Sequence, residues 1–164
     1  VKRLDDTFHF EEIVGHKDES PTACPGKHLE AAIADILRKK DKSEVWYITR
    51  YYSPVEGQKR YFHGSYLKDV EINCGLNPDG TAGDCVTTAN GHKLEDHQAF
   101  QAAACPPEIP FGTRIDIEGI GIVTCHDRGG AIKEKRLDIW AGFGMEALMR
   151  LKTKPGGYLR VTFL

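Results

Sequence analysis

Basic charge is in short supply: 22 lysines and arginines stand against 24 aspartates and glutamates, for a formal charge of −2 over 164 residues. Binding to a phosphate backbone rests on an excess of cations, so nucleic acid is not an expected partner. Long hydrophobic runs are missing as well. The apolar stretches are a few residues long, against the roughly 20 needed to cross a bilayer, so no membrane span is expected. The opening Val1-Lys2-Arg3-Leu4-Asp5-Asp6 lacks the apolar core of a signal peptide, and the expectation is a soluble chain with no export address. There is no internal repeat or low-complexity tract. Cysteine occurs five times, at 24, 74, 85, 105 and 125, an odd count that leaves at least one without an internal partner. Disulfides among the last four and buried free thiols both fit. What is present is 40% hydrophobic content, enough for one compact domain with a core of its own and room for an appendage.

The chain reads as two unequal parts. After Cys24-Pro25-Gly26, Leu29, Ile33, Ile36 and Leu37 recur at i, i+4, i+7 and i+8, which predicts an amphipathic helix over 25–40, ending in cations that favour a helix C-terminus. Residues 1–40 hold too little apolar surface to fold alone. Residues 41–44 read as a linker. From Val45 onward the pattern is short strands: 45–52 is β-branched and aromatic, 113–118 alternates strictly, and 121–125 and 158–163 follow. Gly/Pro turns separate them, and Met145, Leu148 and Met149 give one short helix. Many short strands with little helix point to a mainly-β fold, a small closed β-barrel. The polar stretch Asn73 to Asp96 reads as an excursion that can line a groove.

Chemistry concentrates between 127 and 140. Asp127 enters a Gly129-Gly130 turn and Asp138 sits in the apolar run Leu137-Asp138-Ile139-Trp140. A carboxyl that protonates a leaving oxygen needs a pKa well above the usual value of about 4, through burial or a second carboxylate nearby. With period two, Asp138 shares its strand face with Trp140, an apolar wall that pushes in that direction. Asp127 is better placed to support it. The plainer alternative is that Asp127 caps a turn and Asp138 pairs with Arg136 or Lys135. Spacing alone leaves both open. Tyr51, Tyr52 and Trp140 are candidates to stack on sugar rings, although strand aromatics usually belong to cores. Lys133, Arg128 and Arg136 can meet carboxylates of a substrate. His126 is expected to point away from Asp127, as a core or surface histidine.

Several ordered motifs carry a resemblance: Ile109-Pro110-Phe111-Gly112-Thr113-Arg114, Gly119-Ile120-Gly121, Asp127-Arg128-Gly129-Gly130-Ala131-Ile132, and Arg136-Leu137-Asp138-Ile139-Trp140 with Gly142. Together they resemble the 3D (Asp-Asp-Asp) domain, a family of six-stranded double-psi β-barrels shared with membrane-bound lytic transglycosylase A. Tyr51-Tyr52-Ser53-Pro54 and Thr88-Ala89-Asn90-Gly91 extend the likeness over 45–164. The resemblance implies Asp138 as general acid/base, Asp127 as supporting carboxylate, and Thr88, Gly129, Gly130 and Lys133 beside the tyrosines and Trp140 as substrate contacts. It implies cleavage between N-acetylmuramic acid and N-acetylglucosamine in peptidoglycan with 1,6-anhydro product, no cofactor for the barrel, and peptidoglycan glycan strands as partner. A non-catalytic wall-binding module and a hydrolase on the same barrel are the alternatives. The family's first aspartate is matched here by Cys105, with Asp69, Asp84 and Glu108 as possible replacements. The same correspondence implies a Cys105–Cys125 disulfide, leaving Cys74 with Cys85.

The front segment, Gly15-His16 to Thr22-Ala23-Cys24-Pro25-Gly26, resembles the C-terminal end of zinc-dependent N-acetylmuramoyl-L-alanine amidases. That likeness implies His16 and Cys24 as two zinc ligands. A catalytic zinc needs three, so zinc is expected only if another segment completes the site. The expectation is an amidase remnant over 1–40 joined to the barrel, acting at the cell envelope or outside the cell within a larger lysin, with the missing upstream amidase segment as a possible partner.

Overall fold

The computed structural model describes residues 43–164, together with Leu29, residues 31–34 and Ile36, which are helical. Those helical residues fall inside the amphipathic segment expected over 25–40. The chain divides into two compact units, Val1–Ser43 and Glu44–Leu164. His16 and Cys24 lie outside the described residues.

Six strands make a closed barrel in the order β1-β5-β2-β4-β3-β6, the six-stranded double-psi barrel expected, with short helices. The strands are β1 (Ser43–Ser53), β2 (Ala102–Ala104), β3 (Arg114–Ile117), β4 (Gly121–Asp127), β5 (Arg136–Phe143) and β6 (Gly157–Phe163). Pairs β1·β5 and β2·β4 are parallel, and pairs β2·β5, β3·β4 and β3·β6 are antiparallel. Helix α1 (Tyr66–Asn73) is capped by Ser65, whose side chain accepts from the Lys68 amide, and α2 (Gly144–Arg150) follows β5 directly. The polar excursion carries two isolated bridges, Leu76↔Ala82 and Thr87↔Lys93, and a 3-10 turn, Leu94–Asp96.

Alternation sorts the strand residues onto two faces. Ile48, Ala103, Ile115, Ile117, Val123, Leu137, Ile139 and Val161 fill the barrel with Cys105 and Cys125. Tyr51, Ala102 and Trp140 leave on the other face, where Leu94 of the polar excursion covers them. Cys105–Cys125 and Cys74–Cys85 are disulfides, with Cα separations of 5.9 and 5.2 Å. Both pairings are those implied by the 3D resemblance. The first links β4 to the residue following β2 inside the core, and the second closes the stretch between α1 and the loop over the outer face.

β2 breaks its register with β4. Ala103 pairs with Cys125 but Ala104 pairs with Asp127, so His126 is an extra residue on β4. Val123 and Cys125 point into the barrel, and strict alternation would send Asp127 inward with them. The bulge turns it outward instead, which is a common use of bulges beside functional sites.

Candidate active site

Ala104 is the hinge of the arrangement. It pairs with Asp138 on β5 and with Asp127 on β4, so the two aspartates flank one small residue on adjacent strands. Two strand spacings put their Cα atoms on the order of 10 Å apart, with both side chains on the outer face. Thr49 and Tyr51 of β1 enter the same face, opposite Asp138 and Trp140. The Tyr51 hydroxyl donates to Asp127 Oδ2 at 3.1 Å.

The two carboxylates are held differently. Asp127 Oδ1 accepts from the Ala89 amide and from the Arg128 amide, both at 2.9 Å, in addition to the Tyr51 bond. It is pinned between β1 and the loop at 89. Asp138 Oδ1 is sealed from solvent and has no hydrogen-bond partner among the described residues. Burial pushes the Asp138 carboxyl up to about 6; the Asp127 charge adds to this, while the Thr49 hydroxyl and the Arg136 and Arg50 charges pull against it. The Tyr51 phenol is driven well above its usual range, first by burial and then by Asp127 and Asp138, so it stays a neutral donor. The site thus contains one anchored carboxylate and one poised to carry a proton near neutral pH.

The ion-pair alternative for Asp138 is not realised. Lys135 bonds Glu44 at 2.9 Å, and the Arg136 guanidinium lies 5.8 Å from the centre of the Tyr47 ring. Of the aromatic candidates, Tyr51 faces the aspartates. Trp140 is 2% exposed, donates its indole N–H to Ser53 Oγ at 3.0 Å, and packs edge-on against Phe143; it is a wall, not an open platform. Tyr52 turns to the opposite side, is 1% exposed, and donates to Asp69 Oδ2. That separates it from the site. Thr88 is buried, with its hydroxyl 2.8 Å from Asn90 Oδ1 and 3.0 Å from the His92 carbonyl, and so it shapes the loop that reaches Asp127. Gly129, Gly130 and Lys133 lie exposed on the turn after Asp127. A Cβ on Gly129 would come within 2.8 Å of Ile132 Cγ1, so the tight turn admits no side chain there.

Arg128 is committed to structure. It donates to the carbonyls of Cys105, Ile109 and Asp127 and lies 3.8 Å over the Phe111 ring, so it is not a free anchor for substrate carboxylates. Position 105, a cysteine, brings no carboxylate, and its sulfur is bonded to Cys125, so it offers no titrating thiol either. The replacements considered for it are engaged elsewhere or exposed. Asp69 is raised by burial but held below its usual value overall by bonds from Tyr52, His63 and Phe62; Asp84 accepts from the Val86 and Thr87 amides; Glu108 faces solvent.

Residues 102–153 match the 3D domain. This 3D segment runs from β2 through α2 and contains Ala104, Cys105, Asp127 and Asp138. No curated protein matches the chain. Among solved structures it is similar to E. coli lytic transglycosylase MltA, at 23% identity and a TM-score of 0.41 over 48% of this chain and 27% of that one. The same enzyme with bound chitohexaose gives 22% identity and a TM-score of 0.40 over 48% and 27%. An apo form of an aspartate-to-alanine variant gives 16% and 0.42 over 67% and 40%. The chain therefore spans at most 40% of the length of these structures.

Two features escaped the sequence reading. The bulge at His126 reversed the expected facing of His126 and Asp127: both engage the 88–97 loop, with His126 Nδ1 3.1 Å from Asn90 Nδ2 and its ring against His92 and His97. The His92–His97 pair carries little signal by itself because one lies in the polar excursion and the other just beyond its end, both far in sequence from 126. Ligand-type residues at spacing five were the available signal.

Proposed function

We propose that the barrel cleaves the glycosidic bond between N-acetylmuramic acid and N-acetylglucosamine in peptidoglycan, forming a 1,6-anhydro-muramyl end. The observation that carries this reading is Asp138, a half-buried residue whose carboxyl is raised to about 6, with one oxygen sealed from solvent and unpartnered beside the anchored Asp127. Protonated, it can donate to the leaving oxygen as an oxocarbenium-like centre develops. Deprotonated by that step, it can take the proton of the sugar C6 hydroxyl as that oxygen attacks the same centre. One carboxyl serves both steps, and the bond broken is replaced by one within the sugar, so no water enters the product. Asp127 and the neutral Tyr51 phenol fix the polar wall opposite, and the exposed turn of Gly129, Gly130 and Lys133 offers backbone and one cation to the glycan. The 3D match over 102–153 supports the same choice of chemistry. Two disulfides suit a protein that works outside a reducing cytosol, where the wall is found.

Asp138→Asn keeps the shape and removes the proton. It is expected to abolish release of 1,6-anhydro-muramyl products from purified sacculi, and undiminished release would remove the assignment. A second reading has one observation in its favour, the disulfide-bonded cysteine at position 105, where the 3D resemblance implies a carboxylate. In that reading the barrel is a wall-binding module, and sacculi would retain the protein with no soluble product from wild type or variant. The front segment, with His16 and Cys24, we read as the end of an amidase domain in a larger two-activity lysin; loss of zinc-dependent amide cleavage on replacing His16 in the full-length protein tests it.

A further inference from the structure

Three histidines gather beside Asp127 with no role in the proposed glycan chemistry. His92 and His97 bracket the 3-10 turn Leu94–Asp96, and His126 is the bulged residue of β4. Ring centroids are 4.4 Å apart for His92 and His126, 4.7 Å for His97 and His126, and 6.1 Å for His92 and His97. One ring nitrogen from each lies within 4.8 Å of the other two. The gathering is left uncompensated at one point: His97 Nε2 is shut off from solvent and has no hydrogen-bond partner among the described residues. A buried ring nitrogen without a partner calls for a ligand.

The surroundings have the form of an outer shell around an ion. The Asn90 carboxamide lies 3.1 Å from His126 Nδ1. With its oxygen turned to that nitrogen, it accepts the Nδ1 proton and leaves the Nε2 lone pair free to bind. The Thr88 hydroxyl can follow that orientation, accepting from the Asn90 amide while donating to the His92 carbonyl, 3.0 Å away, and the turn gives up only the long 3.4 Å bond from the His92 amide to the Asn90 oxygen. We propose that His92, His97 and His126 form a site for one divalent transition-metal ion of the zinc class. Imidazoles suit zinc, nickel, copper and iron, and three of them leave a fourth tetrahedral position open. Bonds of about 2.0 Å place tetrahedral ligands about 3.3 Å apart, so the rings need to close by on the order of 1 Å. His92 is exposed and can make that movement.

An ion here would tie the excursion to β4. The same short stretch supplies the Ala89 amide to Asp127 and the Asn90 amide to the His126 carbonyl. Binding would therefore stiffen the support of Asp127, and it would do so whatever the aspartates cleave. The test uses the full chain, stripped with chelator and titrated with zinc, with cobalt(II) absorption as a second readout of tetrahedral nitrogen coordination. A His16→Ala/Cys24→Ala variant removes the other candidate pair and is expected to keep one equivalent of metal. His92→Ala, at an exposed position, and His97→Ala are expected to lose at least tenfold in affinity; the first keeps the test decisive if the second misfolds. Absence of zinc binding by the wild type, binding unchanged in His92→Ala, or binding abolished by the His16/Cys24 replacement would each overturn the assignment.

Discussion

Asp138 and Tyr51 sit one strand apart, and both are shifted toward their protonated forms by the same burial. For Asp138 this has a consequence for stability. Its folded pKa of about 6 exceeds the unfolded value near 4, so the native state binds the proton more tightly; the stability it contributes is full below pH 4 and is lost as pH rises through 6. Asp138→Asn, neutral throughout, should raise the melting temperature at pH 8 but not at pH 4, with a gain on the order of 2 kcal/mol at the alkaline end, as read in denaturant titrations. Wild-type activity should run the same way, falling above about pH 6 as the acid form empties. Tyr51→Phe removes one of three bonds to Asp127 and is expected to cost about 1 kcal/mol while lowering turnover, checked by the same titration and by product release. The raised carboxyl of Asp138 was legible because apolar neighbours in a period-two run push in that direction. Which of Tyr51 and Tyr52 meets it was not, since adjacent strand residues take opposite faces and only the register with β5 decides which face is which. Trp140 does share the Asp138 face, but Leu94, from a loop that periodicity does not describe, closes over it.

At the level of elements, β1, β3, β4 and β6 announced themselves through alternation and β-branching, and α2 through its apolar spacing. β2 did not. Ala102-Ala103-Ala104 carries no alternation and no strand preference, yet its smallness is what the site requires, because Ala104 lies between the two aspartates. Ala104→Leu should push a side chain into that gap, costing about 1–3 kcal/mol from overpacking and abolishing activity; Ala104→Gly should retain the activity. The bulge at His126 was equally silent, since an inserted residue shows only when the partner strand is in view. It explains how a residue two positions from a core cysteine reaches the outer face. Helix α1 arose from a different logic: buried Asp69 gathers the Tyr52 hydroxyl, the Phe62 and His63 amides and the His63 ring at one point, a polar hub with no sequence period.

For the whole molecule, the barrel unit Glu44–Leu164 is closed by hydrogen bonds around its circumference and cross-linked twice. Loops of 11 and 20 residues restrict the unfolded chain enough for each disulfide to contribute about 3 kcal/mol in the chain-entropy view. Reduction by thiols should therefore lower the melting temperature markedly, and should open Cys74–Cys85 before the fully buried Cys105–Cys125, as mass mapping of alkylated cysteines would show. The Cys105–Cys125 link thus supports the barrel, and under the proposed function the acid chemistry falls to Asp138 with Asp127 beside it. The measurement that tests this most directly is the mass of soluble products released from purified peptidoglycan near pH 5 by wild type and by Asp138→Asn. The account predicts muropeptides lighter by one water than hydrolytic products from the wild type and none from the variant. Anhydro products released equally by both, or products that carry the added water, would contradict it.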